Sequence, residues 1–184
     1  MNILVFGKDG QLGKAFHVLL GSLLPALADE INIQYIGRAE CDLVDAAALS
    51  SLLNQFQPSL IINASAYTAV DKAEAEQELA FSINATAPKV LAAQANLLNI
   101  PMIHYSTDYV FDGTKEEPYV ETDVAKTKSV YGQTKQLGEV AVRRHAPKHF
   151  ILRTSWIFGV HGVNFLKTTL KLAQERDRLS VVSD

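Results

Sequence analysis

Short apolar runs alternate along this chain with longer stretches in which apolar residues return every three or four positions. The short runs are Asn2–Phe6 (NILVF), 34–36, 60–62, 102–105, 150–152 and 179–182, most of them bounded by polar or turn residues. None shows long strict alternation, which predicts strands buried on both faces, as in a parallel sheet. Between them the spacing predicts helices. Residues 11–24 place Leu12, Phe16, Leu19, Leu20 and Leu23 on one stripe, and 45–55 open with a capping-capable Asp45 and set Leu49, Leu52 and Leu53 on one face. A long Ala-rich helix is expected over 74–98, kinked or broken at Pro88, with further helices over 127–144 and 164–175. Strand–helix alternation of this kind implies an α/β fold: a Rossmann-type doubly wound parallel sheet with flanking helices. The polar, turn-rich stretch 111–128 reads as a surface loop of a length that is often functional.

Bulk properties narrow the function classes. With 184 residues, 48% hydrophobic and 20% charged, the chain can bury the core of one globular domain, which argues against disorder. A net charge of −3 offers no spread basic face, so a nucleic-acid partner is not expected. The lone Cys41 cannot form an internal disulfide and reads as a small apolar filler. The opening apolar run is too short for a secretion signal and no run is long enough to span a bilayer, so no membrane association and a cytoplasmic location are expected. The five histidines show no metal-ligand spacing.

The first strand runs into Gly7-Lys8-Asp9-Gly10-Gln11-Leu12-Gly13 and then a helix. Glycines in a strand–turn–helix permit a tight turn and close approach of backbone to a pyrophosphate, and the helix N-terminus offers that anion unpaired N–H groups. After the second strand stands Gly37-Arg38, with no carboxylate at 36–39 to hold ribose hydroxyls. Arg38 either meets a 2′-phosphate, favouring NADPH over NADH, or is a solvated surface arginine. Asp42, followed by Leu43, either accepts from an adenine amino group or caps the helix that starts nearby. The third strand ends in Ser65, Ala66 and Tyr67 after Asn63-Ala64, small residues that let a flat cofactor lie against the backbone or simply pack tightly.

Tyr131 and Lys135 stand at i and i+4, on one face of a helix. A cation beside a phenol favours the phenolate and lowers its pKa, and such a tyrosine exchanges a proton with a carbonyl or alcohol oxygen. The preceding strand ends in His104-Tyr105-Ser106-Thr107-Asp108, where a hydroxyl can face the same crevice. Thr107 is the candidate, since alternation turns Ser106 the other way. Trp156, after the fifth strand, either lines a ligand site or belongs to the core. Asn84 either structures the site through a water or packs its helix. Asp71, Glu74, Glu76 and Glu78 suit a helix start better than catalysis.

The stretches GKDGQLG at 7–13, NASAYTAVDKAE at 63–74, HYSTDYVFDGT at 104–114, YGQTKQLGE at 131–139 and RTSWIFG at 153–159 resemble, in this order, the dTDP-4-dehydrorhamnose reductase family of the extended short-chain dehydrogenase/reductases. The resemblance implies NADPH- or NADH-dependent reduction of the C4 keto group of dTDP-4-dehydro-L-rhamnose to dTDP-L-rhamnose. It implies Tyr131 as proton donor, Lys135 as its ribose-binding partner and Thr107 as a hydrogen-bond donor to the C4 oxygen. Gly7, Gly10, Gln11, Leu12 and Gly13 would cradle the pyrophosphate, and Arg38, Asp42 and Leu43 would sit at the adenosine. Ser65, Ala66, Tyr67 and Tyr105 would contact the cofactor, and Thr107, Asp108 and Trp156 the sugar nucleotide. Residues 1–184 would then be a single NAD(P)-binding domain. Family members continue for on the order of 100 residues more, a substrate-binding part that would carry much of the sugar pocket and the Mg²⁺-linked homodimer contacts of some members. Other readings of the same motifs are a nucleotide-sugar epimerase or dehydratase, and a non-catalytic dinucleotide-binding subunit like that of methionine adenosyltransferase.

Overall fold

The computed structural model describes residues 1–23 and 30–180. Among them, five parallel strands form one sheet: β1 (Asn2–Phe6), β2 (Asn32–Ile36), β3 (Leu60–Asn63), β4 (Met102–Thr107) and β5 (His149–Thr154), in the order β2-β1-β3-β4-β5. The fold is the Rossmann-like α/β arrangement expected. Phe6 pairs with Ile36 on one side and Asn63 on the other, and Asn63 pairs with His104, so the strand ends lie level along one edge. From β1 the chain steps outward to β2 and then crosses back to β3, and that reversal leaves a crevice at the C-terminal edge beside β1.

Burial explains why the interior strands β1 and β3 do not alternate. The edge strands β2 and β5, expected to be buried on both faces, alternate between more and less exposed positions because one face of each is uncovered. Leu4 and Phe6 enter one face of the sheet while Ile3 and Val5 enter the other. The first face is covered by α2 (Ala46–Phe56), α5 (Ala87–Leu97) and α6 (Val130–His145), whose Leu49, Leu53, Leu91 and Val142 pack on Phe6, Ile61 and Met102. The second is covered by α1 (Gln11–Leu23) through Phe16. Leu19, expected on the same buried stripe, is exposed, and Leu12 turns to the crevice. Over β5 this second face is open: Phe150 is 67% exposed, and α7 (Phe165–Glu175) buries none of its side chains.

Caps set the helix starts. Asp45 accepts from the N–H groups of Ala47 and Ala48 at 3.0 and 2.9 Å, as its sequence position suggested. Ser129 accepts from Gly132 N–H at 3.1 Å, so α6 begins at Val130 rather than 127. Asn164 caps α7 through Lys167 N–H at 3.0 Å.

The single helix expected over 74–98 is instead three pieces, α4 (Gln77–Phe81), a π-helical turn Ser82–Thr86 and α5, preceded by the short α3 (Val70–Ala73). Pro88 has no N–H to return to the carbonyl of Asn84, and the winding widens there, with Ala87 N–H reaching Ser82 O. The Asn84 carbonyl faces α6 instead, so close that a Cβ on Gly138 would lie 2.2 Å from it. The strand expected over 179–182 runs into residues 181–184, outside those described; Leu179 and Ser180 carry no strand. Among the described residues no helix is long and apolar enough to cross a membrane.

Candidate active site

The turn after β1 is built by three glycines with two kinds of job. Gly7 takes φ 95°, a left-handed conformation that side chains disfavour, and the N–H groups of Gly7 and Lys8 both bond Ile36 O at 2.9 and 3.2 Å. A Cβ on Gly7 would meet the Ala64 backbone at 2.7 Å, and one on Gly13 would meet Gly7 O at 2.1 Å. Those two glycines serve the packing of turn, helix and sheet. Gly10 is different: a Cβ there would have only Gly7 O at 3.4 Å nearby, and the residue is exposed on the crevice. Its bareness leaves room for something outside the chain, and the first N–H groups of α1 open beside it. Gly13, expected among the cofactor contacts, does not line the crevice, because the close approach of α1 to the turn buries it.

The crevice has a volume of about 1030 Å³. On the β2 side it is lined by Arg38, Asp42 and Leu43, and beside β1 and β3 by Gly7, Gly10, Gln11, Leu12, Ser65, Ala66 and Tyr67. On the β4 side stand Tyr105, Thr107, Asp108, Tyr131, Lys135 and Trp156. Gly13 apart, the residues that the resemblance assigns to cofactor and substrate therefore share one cavity, which Asn84 does not line. Asp42 does not cap α2. One of its oxygens accepts from Val44 N–H at 3.1 Å and the other faces Arg38 Nε at 3.3 Å.

Buried amides hold the loops that shape the cavity. Asn63 Oδ1 accepts from the N–H and hydroxyl of Ser65, while its Nδ2 meets His104 Nδ1 at 3.1 Å. Asn84, carried to the site by the π turn, clamps Tyr67 from both directions, accepting from its N–H at 2.9 Å and donating to its carbonyl at 3.0 Å. It also donates to Thr134 Oγ1 at 3.1 Å, which ties α6 to the same loop.

Gly132 lets α6 lie against the turn after β4: a Cβ there would sit 2.3 Å from Tyr109 O. This contact sets Tyr131 and Lys135 over the strand end. Tyr131 is 8% exposed, its ring edge-on to Tyr109 at 5.6 Å. Burial pushes its phenol above 10, Thr107 pulls the other way, and Asp108 and Tyr109 push up again. The expected lowering by Lys135 is not found, because desolvation dominates and the ammonium is turned elsewhere. Lys135 Nζ donates to Tyr105 O at 2.6 Å. At 2% exposure its pKa is drawn down from 10.5 to about 8 by burial, with Glu139 working in the opposite direction. Asp108 receives Thr107 Oγ1 at 3.0 Å and Ser155 Oγ at 2.7 Å, so both carboxylate oxygens are engaged. Trp156 is no core residue: it is 71% exposed at the rim, with φ 50°.

Beneath these groups lies a charged layer not singled out from the sequence. Glu139 is fully buried and receives Arg153 Nε at 2.9 Å, Arg153 NH2 at 2.7 Å and Arg143 NH2 at 2.7 Å. The arginines hold its carboxyl below the usual range against the opposing effect of burial. Arg153 also lies 4.9 Å over the Phe111 ring, which stacks on Tyr119 and so anchors the 111–128 loop to the floor of the site. A signal existed: Tyr131, Lys135 and Glu139 recur at intervals of four, and two charges on an inward helix face demand partners. His104, buried beside this layer, is held neutral by desolvation and by Lys135. Among the described residues no cluster of His, Cys, Asp or Glu is placed to hold a metal ion.

Sheet order, glycine turn and a crevice at the strand ends define a Rossmann-like α/β protein with a cradle of the kind that takes a dinucleotide. Comparison with known proteins carries this further. The family model described as RmlD substrate binding domain matches residues 1–184, and the chain belongs to this family, that of the dTDP-4-dehydrorhamnose reductases. The dTDP-4-dehydrorhamnose reductase of Escherichia coli (strain K12) is 43% identical over 185 residues, covering 100% of this chain and 60% of that protein. The Salmonella typhimurium protein of the same name is 45% identical with the same coverage. A Clostridium acetobutylicum dTDP-4-dehydrorhamnose reductase structure superposes with a TM-score of 0.92 at 38% identity, covering 99% of this chain and 62% of that one. One from Bacillus anthracis in complex with NADP gives 0.89 at 34% identity, covering 98% and 62%. The chain thus spans about three-fifths of the length of these relatives.

Proposed function

We propose that this chain binds NADPH or NADH in the crevice and carries the catalytic groups for reducing the C4 keto group of dTDP-4-dehydro-L-rhamnose to dTDP-L-rhamnose. The observation that carries the reading is the convergence of Tyr131, Lys135 and Thr107 at one end of a cavity that begins at Gly10. The cofactor fits what the residues offer: a bare Gly10 beside a helix N-terminus for the pyrophosphate, Arg38 at the adenosine end, and Ser65, Ala66 and Tyr105 along the middle. When bound, the reduced nicotinamide supplies the hydride.

The chain's own groups supply the rest. Tyr131, kept protonated by burial, gives its phenolic proton to the C4 oxygen as negative charge builds there. Thr107 turns its one hydroxyl proton from Asp108 to the same oxygen and orients it. Lys135 stabilises the phenolate left behind and holds a ribose hydroxyl, exchanging part of its bond to Tyr105 O for these contacts. Asp108 and the exposed Trp156 form the sugar-nucleotide side.

Mixing the protein with NADPH and the keto-sugar nucleotide tests this: the nicotinamide absorbance is expected to fall with matching appearance of dTDP-L-rhamnose. A protein that binds neither pyridine nucleotide overturns the reading. Gly10→Ala is expected to weaken NADPH binding by about an order of magnitude, roughly 1.4 kcal/mol, with an unchanged thermal midpoint. A fall in midpoint with binding intact would show that Gly10 serves packing.

A further inference from the structure

The end of β2 lacks a carboxylate in the sequence, yet the structure puts one there. Gly7 and Lys8 emerge beside Gly37 because β1 and β2 pair in register at Phe6 and Ile36, and both N–H groups bond Ile36 O. This folds the turn over Gly37. A Cβ on Gly37 would lie 2.2 Å from Asp9 Oδ2, and 2.9 Å from Lys8 Cε. The Asp9 carboxylate thus occupies the space that a side chain of residue 37 would fill, and Asp9 and Gly37 both line the crevice.

The other charges of this rim are matched. Lys8 is bonded to Glu40, whose second oxygen accepts from Gly37 N–H at 2.8 Å, and this pair pins the turn over the strand end. Arg38 faces Asp42. Among the described residues Asp9 has no cationic partner and its side chain makes no hydrogen bond, although it lies on the cavity wall at the adenosine end.

We infer that Asp9 is a specificity-determining residue for the dinucleotide, accepting from a hydroxyl of the adenosine ribose in place of the missing carboxylate of β2. The inference rests on the cofactor reading above. A carboxylate that accepts from the 2′-hydroxyl of NADH repels the 2′-phosphate of NADPH, whereas Arg38 attracts that phosphate. Asp9 and Arg38 therefore pull selection in opposite directions, and the chain takes both nucleotides with neither strongly excluded. Gly37 is bare so that Asp9 can reach over it.

Titrating NADH and NADPH separately, by nicotinamide fluorescence, into the wild type and into Asp9→Asn and Arg38→Met variants tests this without turnover. Both substitutions lie at exposed positions; Asp9→Asn keeps side-chain size, and Arg38→Met keeps an unbranched stem without the guanidinium. Asp9→Asn is expected to weaken NADH and tighten NADPH, moving the ratio of dissociation constants by about 10-fold toward NADPH. Arg38→Met is expected to move it by a similar factor toward NADH. An unchanged ratio in Asp9→Asn, with both nucleotides still bound, overturns the role of Asp9 and leaves the cofactor reading standing. A wild type that binds neither nucleotide overturns both.

Discussion

Tyr131→Phe is expected to lower kcat by ~10²–10⁴-fold while NADPH binds within about twofold of wild type. The substitution removes only the phenolic oxygen. The ring keeps its edge-on contact with Tyr109 and its place among Ala73, Ala80, Val70 and Val130, so neither the turn after β4 nor the start of α6 has reason to move. What is lost is the proton that must reach the C4 oxygen as hydride arrives. Burial bears on the direction: a phenol held above 10 is protonated at neutral pH, the form that a reduction consumes. Stopped-flow measurement of nicotinamide oxidation, paired with a binding titration, reads the two effects separately. A Tyr131→Phe protein that retains full rate eliminates this proton donor.

Lys135→Met is expected to produce a protein that is nearly inactive yet more stable at pH 7. The ammonium is almost fully buried, and its pKa falls from 10.5 in the unfolded chain to about 8 in the folded one. Below pH 8 the folded state must keep a charge it disfavours, at a cost on the order of 3 kcal/mol. That cost is relieved as pH rises from about 8 to 10.5, where the unfolded chain still binds the proton and the folded protein does not. Methionine fills the same volume without charge but leaves Tyr105 O without its donor, a loss of about 1–2 kcal/mol. The variant should therefore be more stable than wild type by roughly 1 kcal/mol at pH 7 and less stable near pH 10.5, with the curves crossing between. Urea unfolding of both proteins across this range checks it, since tyrosine ionisation is common to the two. Parallel curves would show that Lys135 is not strained by burial. A stability gain coupled to lost turnover is what a lysine kept for function predicts.

The opposed effects at Lys135 follow from the layer below it. Glu139 favours the lysine's charge, and Arg153 and Arg143 hold Glu139 ionised in a region from which water is excluded. Arg153 also reaches the 111–128 loop through Phe111. The loop's anchorage and the charge state of the lysine thus share one buried carboxylate.

Local pattern alone determined the strands of the sheet, most of its helices and the strand ends at which the crevice opens, while the resemblance supplied several of the residues that line it. Runs such as NILVF bury both faces and so declare a parallel strand, Asp45 and the glycine turn mark helix starts through short-range hydrogen bonding, and the i, i+4 spacing places Tyr131 with Lys135. Tertiary structure decided what depends on distance in space. Asp9 reaches the end of β2 only because two strands pair in register, and Gly13 packs rather than binds because α1 closes on the turn. The break at Pro88 became a π turn whose Asn84 clamps a loop remote in sequence. The Tyr131 phenol is pushed up rather than drawn down because desolvation, which no spacing reveals, outweighs a cation one helical turn away that has bonded a carbonyl.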